Sequence, residues 1–234
     1  MIRFDHVSKH YPGHRGALSD VTVDIADGEF VYLIGPSGAG KTTMLRLIMR
    51  DLIPTSGTVL VDKWKLSSIP SSQIHHLRRH VRTVYQDFKL LADRTVYENV
   101  AVGLEVLGKN DSEIVKDVMK VLSLVTLADK YRLFPLQLSA GEQQRVSIAR
   151  AIVGGPKILL ADEPTGNLDP DTAGEILDIL EEVNSIGTTV IMATHNASLV
   201  NERKKRTLAL DDGSIHSDEA RGRYRVQKEK HANA

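Results

Sequence analysis

The sequence has no cysteine, no long apolar run and no excess of either charge. Without cysteine the chain can form no disulfide framework and carry out no thiol chemistry, which fits a cytoplasmic protein. Lysine plus arginine equals aspartate plus glutamate, with 30 residues of each sign, so no global basic field attracts nucleic acid and no such partner is expected. No apolar run approaches the roughly 20 residues that a membrane-spanning helix needs. Any membrane role must therefore come through a partner protein.

The sequence does contain enough apolar material for a substantial core. The chain has 234 residues, of which 41% are hydrophobic, so it suits one large domain or a domain with a subdomain. Its first residues, MIRFDHVSKHYPG, alternate apolar and polar side chains like a short strand and lack the pattern of a signal peptide.

The spacing of apolar residues predicts an α/β chain. The first third should contain two half-buried antiparallel strands, a strand covered on both faces, a helix and a further strand: Ile2–Val7, Val21–Ile25, Phe30–Ile34, Lys41–Met49 and Thr58–Val61. From KILLAD, residues 157–162, strands and helices alternate, which indicates a parallel sheet with right-handed crossovers. From residue 217 the chain is polar and partly basic, so we expect a domain over 1–216 and a tail over 217–234.

A helical insert interrupts this pattern between about residues 88 and 152. Val96–Leu107 and Asp111–Leu127 have apolar residues at three- and four-residue spacing, and LQLSAGEQQRVSIARAIV is helical again after Pro135. The expected architecture is an N-terminal antiparallel β part, a mixed, mostly parallel sheet, and an inserted α-helical subdomain.

The most specific motif lies between the strand that ends at Ile34 and the helix that begins at Lys41. Gly35-Pro-Ser-Gly-Ala-Gly-Lys-Thr fits G-x-x-x-x-G-K-[ST] without a mismatch, and we call it the phosphate loop. Its glycines let successive backbone N–H groups point at phosphates, and the following helix adds its positive N-terminal end. Lys41 would reach the β- and γ-phosphates of ATP, and the Thr42 hydroxyl would ligate Mg²⁺. The predicted nucleotide-binding residues here are Gly35, Ser37, Gly38, Ala39, Gly40, Lys41, Thr42 and Thr43.

The acidic half of such a site should follow a neighbouring buried strand. KILLADEPTG supplies two adjacent carboxylates at the end of an apolar run. Asp162 would hold the magnesium through water, and Glu163 would polarise the attacking water as a general base or a water-positioning group. The alternative, an ordinary helix cap, is disfavoured because the phosphate loop is present in the same chain. The predicted core is thus that of a phosphate-loop NTPase.

With these motifs, the sequence resembles the ATP-binding cassette family over about residues 1 to 216. LSAGEQQRVSIARAI, Leu138–Ile152, resembles the family signature, which other phosphate-loop NTPases lack. Gln86, Asp169 and His195 match, in the family's order, the glutamine loop, the loop at the dimer interface and the switch histidine. Tyr11 stands where the family stacks an aromatic ring on adenine.

The resemblance implies a mechanism and a set of site residues. The phosphate loop of one subunit would hold ATP, and Ser139 and Gly141 of a second copy would close over the γ-phosphate, which gives a head-to-tail homodimer that sandwiches two ATP molecules. ATP would favour the closed dimer and hydrolysis would open it. The residues implied in catalysis are Glu163, His195 and Gln86, and those implied on magnesium are Thr42, Gln86 and Asp162.

Three positions depart from the family pattern. Ala140 replaces the first of two glycines after the signature serine, Glu142 replaces a glutamine, and Asn196 stands where an acidic residue is common. Alanine at 140 is compatible with nucleotide binding if its φ is negative.

One copy of each motif implies one half of an ATPase pair that serves a separate integral membrane protein, at the cytoplasmic face of the membrane. The segment QDFKLLADRTVYENV, residues 86–100, lies where the family docks a helix of that partner. Phe88, Leu90 and Leu91 are its candidate apolar contacts, and burial within the helical insert is their alternative role.

The resemblance leaves three functions open. The chain could drive signalling across the membrane in cell division, or power a lipoprotein-releasing or solute or drug transporter. It could also be a soluble cassette acting on ribosomes or DNA. The last is disfavoured because such members usually carry two cassettes or long coiled-coil insertions, and this chain has neither and lacks a basic surface signature.

Overall fold

Two β-sheets frame the chain in the computed structural model, which describes residues 1–11 and 17–224. The antiparallel sheet contains β1 (Ile2–Lys9), β2 (Leu18–Ile25), β4 (Ser56–Val61) and β5 (Trp64–Lys65), in the order β2-β1-β4-β5. The second sheet contains β3 (Phe30–Ile34), β6 (Val81–Tyr85), β7 (Ile158–Asp162), β8 (Thr189–Ala193), β9 (Arg206–Asp211) and β10 (Ser214–Glu219), in the order β10-β9-β3-β8-β7-β6. Neighbours from β9 to β6 are parallel, and β10 is antiparallel to β9. The predicted sheet architecture is confirmed.

Strand β3 explains why the sequence around Phe30–Ile34 is continuously apolar. Alternate side chains of a strand point to opposite faces of its sheet. Phe30, Tyr32 and Ile34 pack into one hydrophobic cluster, while Val31 and Leu33 pack into a second. All five are buried, so this central strand has no face left for polar residues. The strand therefore holds the start of the phosphate loop, which follows it directly, at the carboxyl end of a buried central strand.

Seven α-helices are described within residues 17–224: α1 (Lys41–Ile48), α2 (Ile74–His80), α3 (Val96–Glu105), α4 (Asp111–Leu124), α5 (Ala140–Ile152), α6 (Pro170–Ser185) and α7 (Ala197–Arg203). Reciprocal capping boxes open α3, α4 and α5, with Thr95, Asn110 and Ser139 as the N-caps. Helices α3 and α4 end before the predicted Leu107 and Leu127, because Gly108 and Thr126 have left-handed φ values of 71° and 60°. No helix of this described part is both long and apolar enough to cross a membrane.

Helices α3, α4 and α5 occupy the region predicted as a helical insert, and they pack against one another. Gly103 of α3 allows a close approach to α5, since a methyl group at this position would lie 3.3 Å from Cγ1 of Val153. The division of the chain into a domain with this subdomain stays a prediction.

The second sheet continues past residue 216, where the sequence placed the end of the domain. Strand β10 runs to Glu219, and its Asp218 lies 2.7 Å from the Arg206 guanidinium of β9. Beyond it, the Gly222 N–H donates to the Lys205 carbonyl at 3.2 Å. The rest of the predicted tail, residues 225–234, lies outside the described residues.

Candidate functional site

The carboxyl ends of four neighbouring parallel strands lie at one edge of the second sheet. In its register Tyr85 pairs with Asp162, Asp162 pairs with Ala193, and Ala193 pairs with Leu33. The segments that follow these strands therefore leave the sheet side by side, as expected for a ligand site of an open parallel sheet. Together they enclose a cavity of about 550 Å³, lined by Ser37, Gly38, Ala39, Gly40, Lys41, Thr42, Thr43, Gln86, Glu163 and His195.

The phosphate loop has the conformation that an anion site needs. Gly40 is the N-cap of α1 with φ 106°, and no side chain caps the helix or places a carboxylate in its first turn. The first N–H groups of α1 are therefore available to phosphate oxygens. Gly35 has φ 146°, and a methyl group there would lie 2.2 Å from the Leu210 carbonyl oxygen, so this position accepts glycine alone.

The Lys41 ammonium is folded back into its own loop. Its Nζ donates to the carbonyl oxygens of Gly35 at 2.8 Å and Pro36 at 3.1 Å, and the residue is buried. These carbonyls hold the cation beside the cavity. Binding of a phosphate group at Lys41 would exchange these neutral acceptors for charged ones, which form stronger hydrogen bonds.

Hard oxygen donors for a divalent cation lie beside the loop. The Thr42 hydroxyl donates to Oδ1 of Asp162 at 3.3 Å, and burial raises the pKa of that carboxyl, with the neighbouring Glu163 adding to the rise. The Gln86 side chain lines the same cavity and donates to Oδ1 of Asn167 at 3.3 Å. Hydroxyl, carboxylate and amide oxygens are ligands that Mg²⁺ accepts together with phosphates and water. No group of three or more His, Cys, Asp or Glu suited to a metal occurs within residues 1–11 and 17–224.

Glu163 and His195 form a contact pair at the mouth of the cavity. Oε2 of Glu163 lies 2.7 Å from Nδ1 of His195 and also accepts the His195 backbone N–H at 3.3 Å. Glu163 has φ 52°, a left-handed value that is uncommon for a residue with a side chain. Its own N–H donates to the Ala193 carbonyl at 3.0 Å, which holds this conformation at the end of β7. The carboxylate is thereby aimed at the histidine and the cavity rather than along the strand.

The signature residues lie elsewhere in the same chain. Ser139 is the N-cap of α5, its hydroxyl accepts from the Glu142 N–H at 3.3 Å, and Gly141 is in the first turn. Neither lines the cavity described above. Ala140 belongs to the helix and is not among the described residues with positive φ, which meets the condition set for this departure from the family pattern. Glu142 accepts the Ser139 N–H and pairs with Lys130, and that hydrogen bond from Lys130 is the main cause of its lowered pKa.

Comparison with known proteins agrees with this geometry. A sequence model of the ABC transporter family matches residues 18–166, more than half of the chain. The chain belongs to the ABC transporter family. Within this family, the cassette is 54% identical to the cell division ATP-binding protein FtsE of Bacillus subtilis (strain 168) over 224 residues, which cover 96% of this chain and 98% of the relative. FtsE of Mycobacterium tuberculosis (strain H37Rv) is 48% identical, with 97% and 100% covered.

Solved cassettes have the same fold. A dimeric post-hydrolysis state of the ATP-binding cassette MJ0796, bound to ADP and Pi, is 34% identical and superposes with a TM-score of 0.85 over 96% of this chain and 100% of that one. CbiO1 from Clostridium perfringens is 28% identical, with a TM-score of 0.87 over 94% and 88%. The chain is thus an ATP-binding cassette ATPase with the expected phosphate-loop fold.

Two further sequence predictions can be located in the cassette. Tyr11 lies beside Lys9, whose Nζ is 5.5 Å from the ring centroid, and it does not line the described cavity. Since residues 12–16 lie outside the described part, its stacking on adenine stays a prediction. Asp169 is the N-cap of α6 and accepts the Thr172 N–H at 3.0 Å, so its side chain has a structural task besides the implied interface role.

The candidate docking contacts divide into buried and exposed side chains. Leu90 packs against the core cluster that α3 and α5 share. This contact agrees with the alternative role, burial within the helical insert. Leu91 is 42% exposed, and Phe88 is half-buried. Leu91 and Phe88 therefore remain available to a partner.

Some residues near the site were not predicted from the sequence. Asn167 exchanges hydrogen bonds with Gln86, and its side chain donates to the Gln86 carbonyl at 3.3 Å. Tyr224, in the predicted tail, packs against the core, and its N–H donates to Asn201 of α7 at 2.9 Å. Burial raises the Tyr224 pKa, and the charge of Glu163 adds to the rise. Neither Asn167 nor Tyr224 belongs to a sequence motif that would predict these contacts.

Gly141 is required by packing within one chain. A methyl group there would lie 2.4 Å from Cγ2 of Thr172 in α6. We expect Gly141→Ala to lower the free energy of unfolding by about 1–3 kcal/mol, the usual range for overpacking. Thermal and urea denaturation would measure the loss. Adding Thr172→Ser removes the clashing methyl group and should restore most of the stability, whereas Thr172→Ser alone should change it little. Unchanged stability of Gly141→Ala would contradict the close packing of the two helix starts.

Proposed function

We propose that the chain is an FtsE-type ATPase that acts in cell division with an integral membrane partner resembling FtsX. In this role it would drive the activation of cell-wall hydrolases across the membrane, from the cytoplasmic face of the cell membrane at the division septum. The observation that carries the proposal is the similarity to proteins named FtsE, 54% to 47% identical over more than nine tenths of this chain in three different organisms. Leu91 and Phe88, beside Gln86, would face the partner.

The working unit we propose is a head-to-tail homodimer. In one chain the signature serine and the phosphate loop do not share the cavity, so a composite site needs a second copy. Two solved structures of one cassette of similar fold, MJ0796, are described as dimeric, which supports this arrangement. A two-fold axis would place Ser139 and Gly141 of the second copy over the γ-phosphate that the first copy holds.

The residues in and beside the cavity divide the chemistry of ATP hydrolysis between them. The α1 N–H groups and Lys41 would bind and orient the phosphates, and Thr42, Asp162 and Gln86 fit the ligand set of a magnesium ion. When bound, Mg²⁺ would neutralise phosphate charge. Oε1 or Oε2 of Glu163 would accept a proton from the attacking water. His195 would hold the Glu163 carboxylate through its 2.7 Å contact and reach the γ-phosphate from the same side.

A transporter ATPase is the second candidate function. One similar structure, CbiO1, is described as part of the ABC transporter complex cbiONQ, and its fold overlaps this one as well as that of MJ0796 does. A lipoprotein-releasing or solute or drug transporter would need the same cavity and the same dimer. The two functions differ in the membrane protein that is bound.

Co-purification from membranes tests the choice between them. The chain, carrying an affinity tag, would be expressed with its organism's FtsX-like membrane protein and, separately, with a lipoprotein-releasing permease from the same organism. We expect retention of the FtsX-like protein and a change in ATP turnover in its presence. Selective retention of the permease would instead assign the chain to transport. A fluorescent fusion that is spread evenly along the membrane during constriction would contradict the septal role.

A further inference from the structure

The chain between Gln86 and α3 is held in an unusual backbone conformation. Residues 88–94 form neither helix nor strand, and Phe88 and Lys89 are two consecutive side-chain-bearing residues with left-handed φ values of 58° and 51°. L-amino acids disfavour this region, so two in succession persist only where the surroundings hold them. The loop carries Phe88 and Leu91, the candidate contacts of a partner. The contacts that hold this loop therefore determine how a docked partner acts on the rest of the chain.

Arg150 of α5 is one of two residues that hold this loop in place through hydrogen bonds. Its two terminal nitrogens donate to the carbonyl oxygens of the left-handed pair, Nη1 to Lys89 at 2.7 Å and Nη2 to Phe88 at 2.9 Å. The guanidinium is largely desolvated, and this burial lowers the Arg150 pKa, although arginine stays charged at neutral pH. Within the described chain no carboxylate forms a salt bridge with it, so the loop carbonyls are its counterparts. A planar fork of donors suits two adjacent carbonyls in a way that a lysine cannot reproduce.

Asn99 of α3 is the second residue that holds the loop in place through hydrogen bonds. Its fully buried side chain accepts the Leu91 N–H at 2.8 Å and donates to the carbonyls of Leu91 and Arg94, both at 3.0 Å. Helices α3 and α5 are packed directly against each other at Gly103. The loop is therefore fastened at both ends to one pair of helices, and α5 is the helix that begins at the signature serine, Ser139.

We propose that Arg150 is a positioning residue that fixes the loop of residues 88–94 to the signature helix, so that a partner docked on this loop moves Ser139 and Gly141 with it. The proposal rests on the proposed function for the partner, but the fastening itself is a property of the isolated chain. It assigns to Arg150 the transmission between the docking loop and the signature.

The fastening can be measured without any partner. Because the chain has no cysteine, Lys89→Cys and Val115→Cys create the only two thiols, and nitroxide labels on them report the distance between the loop and exposed α4. Pulsed electron resonance should give one narrow distance distribution in the otherwise unchanged chain. Arg150→Met keeps the apolar stem but removes the donors, and it should abolish the narrow distribution. Arg150→Lys keeps the charge but not the fork and should give an intermediate width.

Arg132→Met is the matched control, because Arg132 is an exposed arginine of the same region whose guanidinium lies over the Tyr131 ring. It should keep the narrow distribution. A narrow distribution in Arg150→Met, equal to that of the control, would overturn the proposal. Folding is checked independently of the labels by the melting curve of each variant, and Arg150→Lys provides the decisive comparison if the methionine variant does not fold.

The effect of Arg150 on transmission is measured as ATP turnover with the partner present. In the complex with the FtsX-like protein in lipid nanodiscs, Arg150→Met should reduce the partner-dependent change in kcat about 5-fold or more, the lower range of typical coupling between sites. ATP turnover and KM of the chain alone should stay as in the parent. An unchanged partner response would overturn transmission through Arg150. If the parent chain itself neither binds nor responds to that partner, the proposed function fails, while the distance measurement still decides the fastening.

Discussion

Glu163→Gln is expected to slow ATP turnover by about 10²–10⁴-fold, the usual contribution of a positioned acid–base group. The amide has nearly the shape of the carboxylate, so the cavity and the phosphate contacts should persist, but it cannot take the proton of the attacking water. We therefore expect ATP binding close to that of the parent. Single-turnover hydrolysis and equilibrium binding of a fluorescent ATP analogue would separate the two effects.

Glu182→Gln is the matched control for this change. Glu182 is an exposed carboxylate on α6, and its neutralisation should leave turnover unchanged. Parental turnover in Glu163→Gln would remove this carboxylate from the chemistry.

His195→Ala should show a related loss of turnover, because it removes the partner that lies 2.7 Å from Glu163. Residues in such direct contact do not act independently. The double variant Glu163→Gln with His195→Ala should therefore be much less impaired than the product of the two single losses. Fully multiplicative losses in the same turnover assay would argue against a coupled pair.

Lys41→Ala is expected to weaken ATP binding by at least about 10–100-fold, because hydrogen bonds to charged groups contribute roughly 1.5–3 kcal/mol each. The fold should survive, since Nζ is bonded only to carbonyls of its own loop among the described residues. Fluorescent-analogue titration measures the affinity. The control is Lys63→Ala, an exposed lysine beside Trp64 that does not line the cavity. Undiminished affinity in a folded Lys41→Ala variant would exclude Lys41 from the site.

Much of the fold follows from patterns that the sequence displays locally. The run Phe30–Ile34 and the glycines after it predict a buried strand, a phosphate loop and a helix, because each feature depends on neighbouring residues alone. The end of the apolar strand at Asp162 also predicted that Glu163 lies at the edge of the sheet, whereas Gln86 and His195 were predicted from the resemblance to the cassette family. The structure places all three around one cavity.

The parts that could not be predicted depend on contacts between distant segments. Nothing near Gly141 indicates that Thr172 of another helix excludes a methyl group there. The contacts of Arg150 with residues 61 and 62 positions earlier in the chain are likewise set by how α5 packs beside the loop. Asn99 did leave a signal, since a polar residue interrupts the apolar face formed by Val96 and Val100. Such an interruption indicates a buried polar contact, but the contacted residues become known only from the fold.

The composite site between two copies is the central claim, and a disulfide trap tests it most directly. Chains with Ser37→Cys and chains with Ser139→Cys, each with a different affinity tag, would be mixed with ATP and a mild oxidant, in a Glu163→Gln background that retains ATP. Since the parent has no cysteine, any disulfide joins the introduced residues. The account predicts ATP-dependent crosslinks between a Ser37→Cys chain and a Ser139→Cys chain. Far fewer crosslinks should join two chains of the same variant. Crosslinks that form equally without ATP, or that join like residues as readily as unlike ones, would contradict the head-to-tail sandwich.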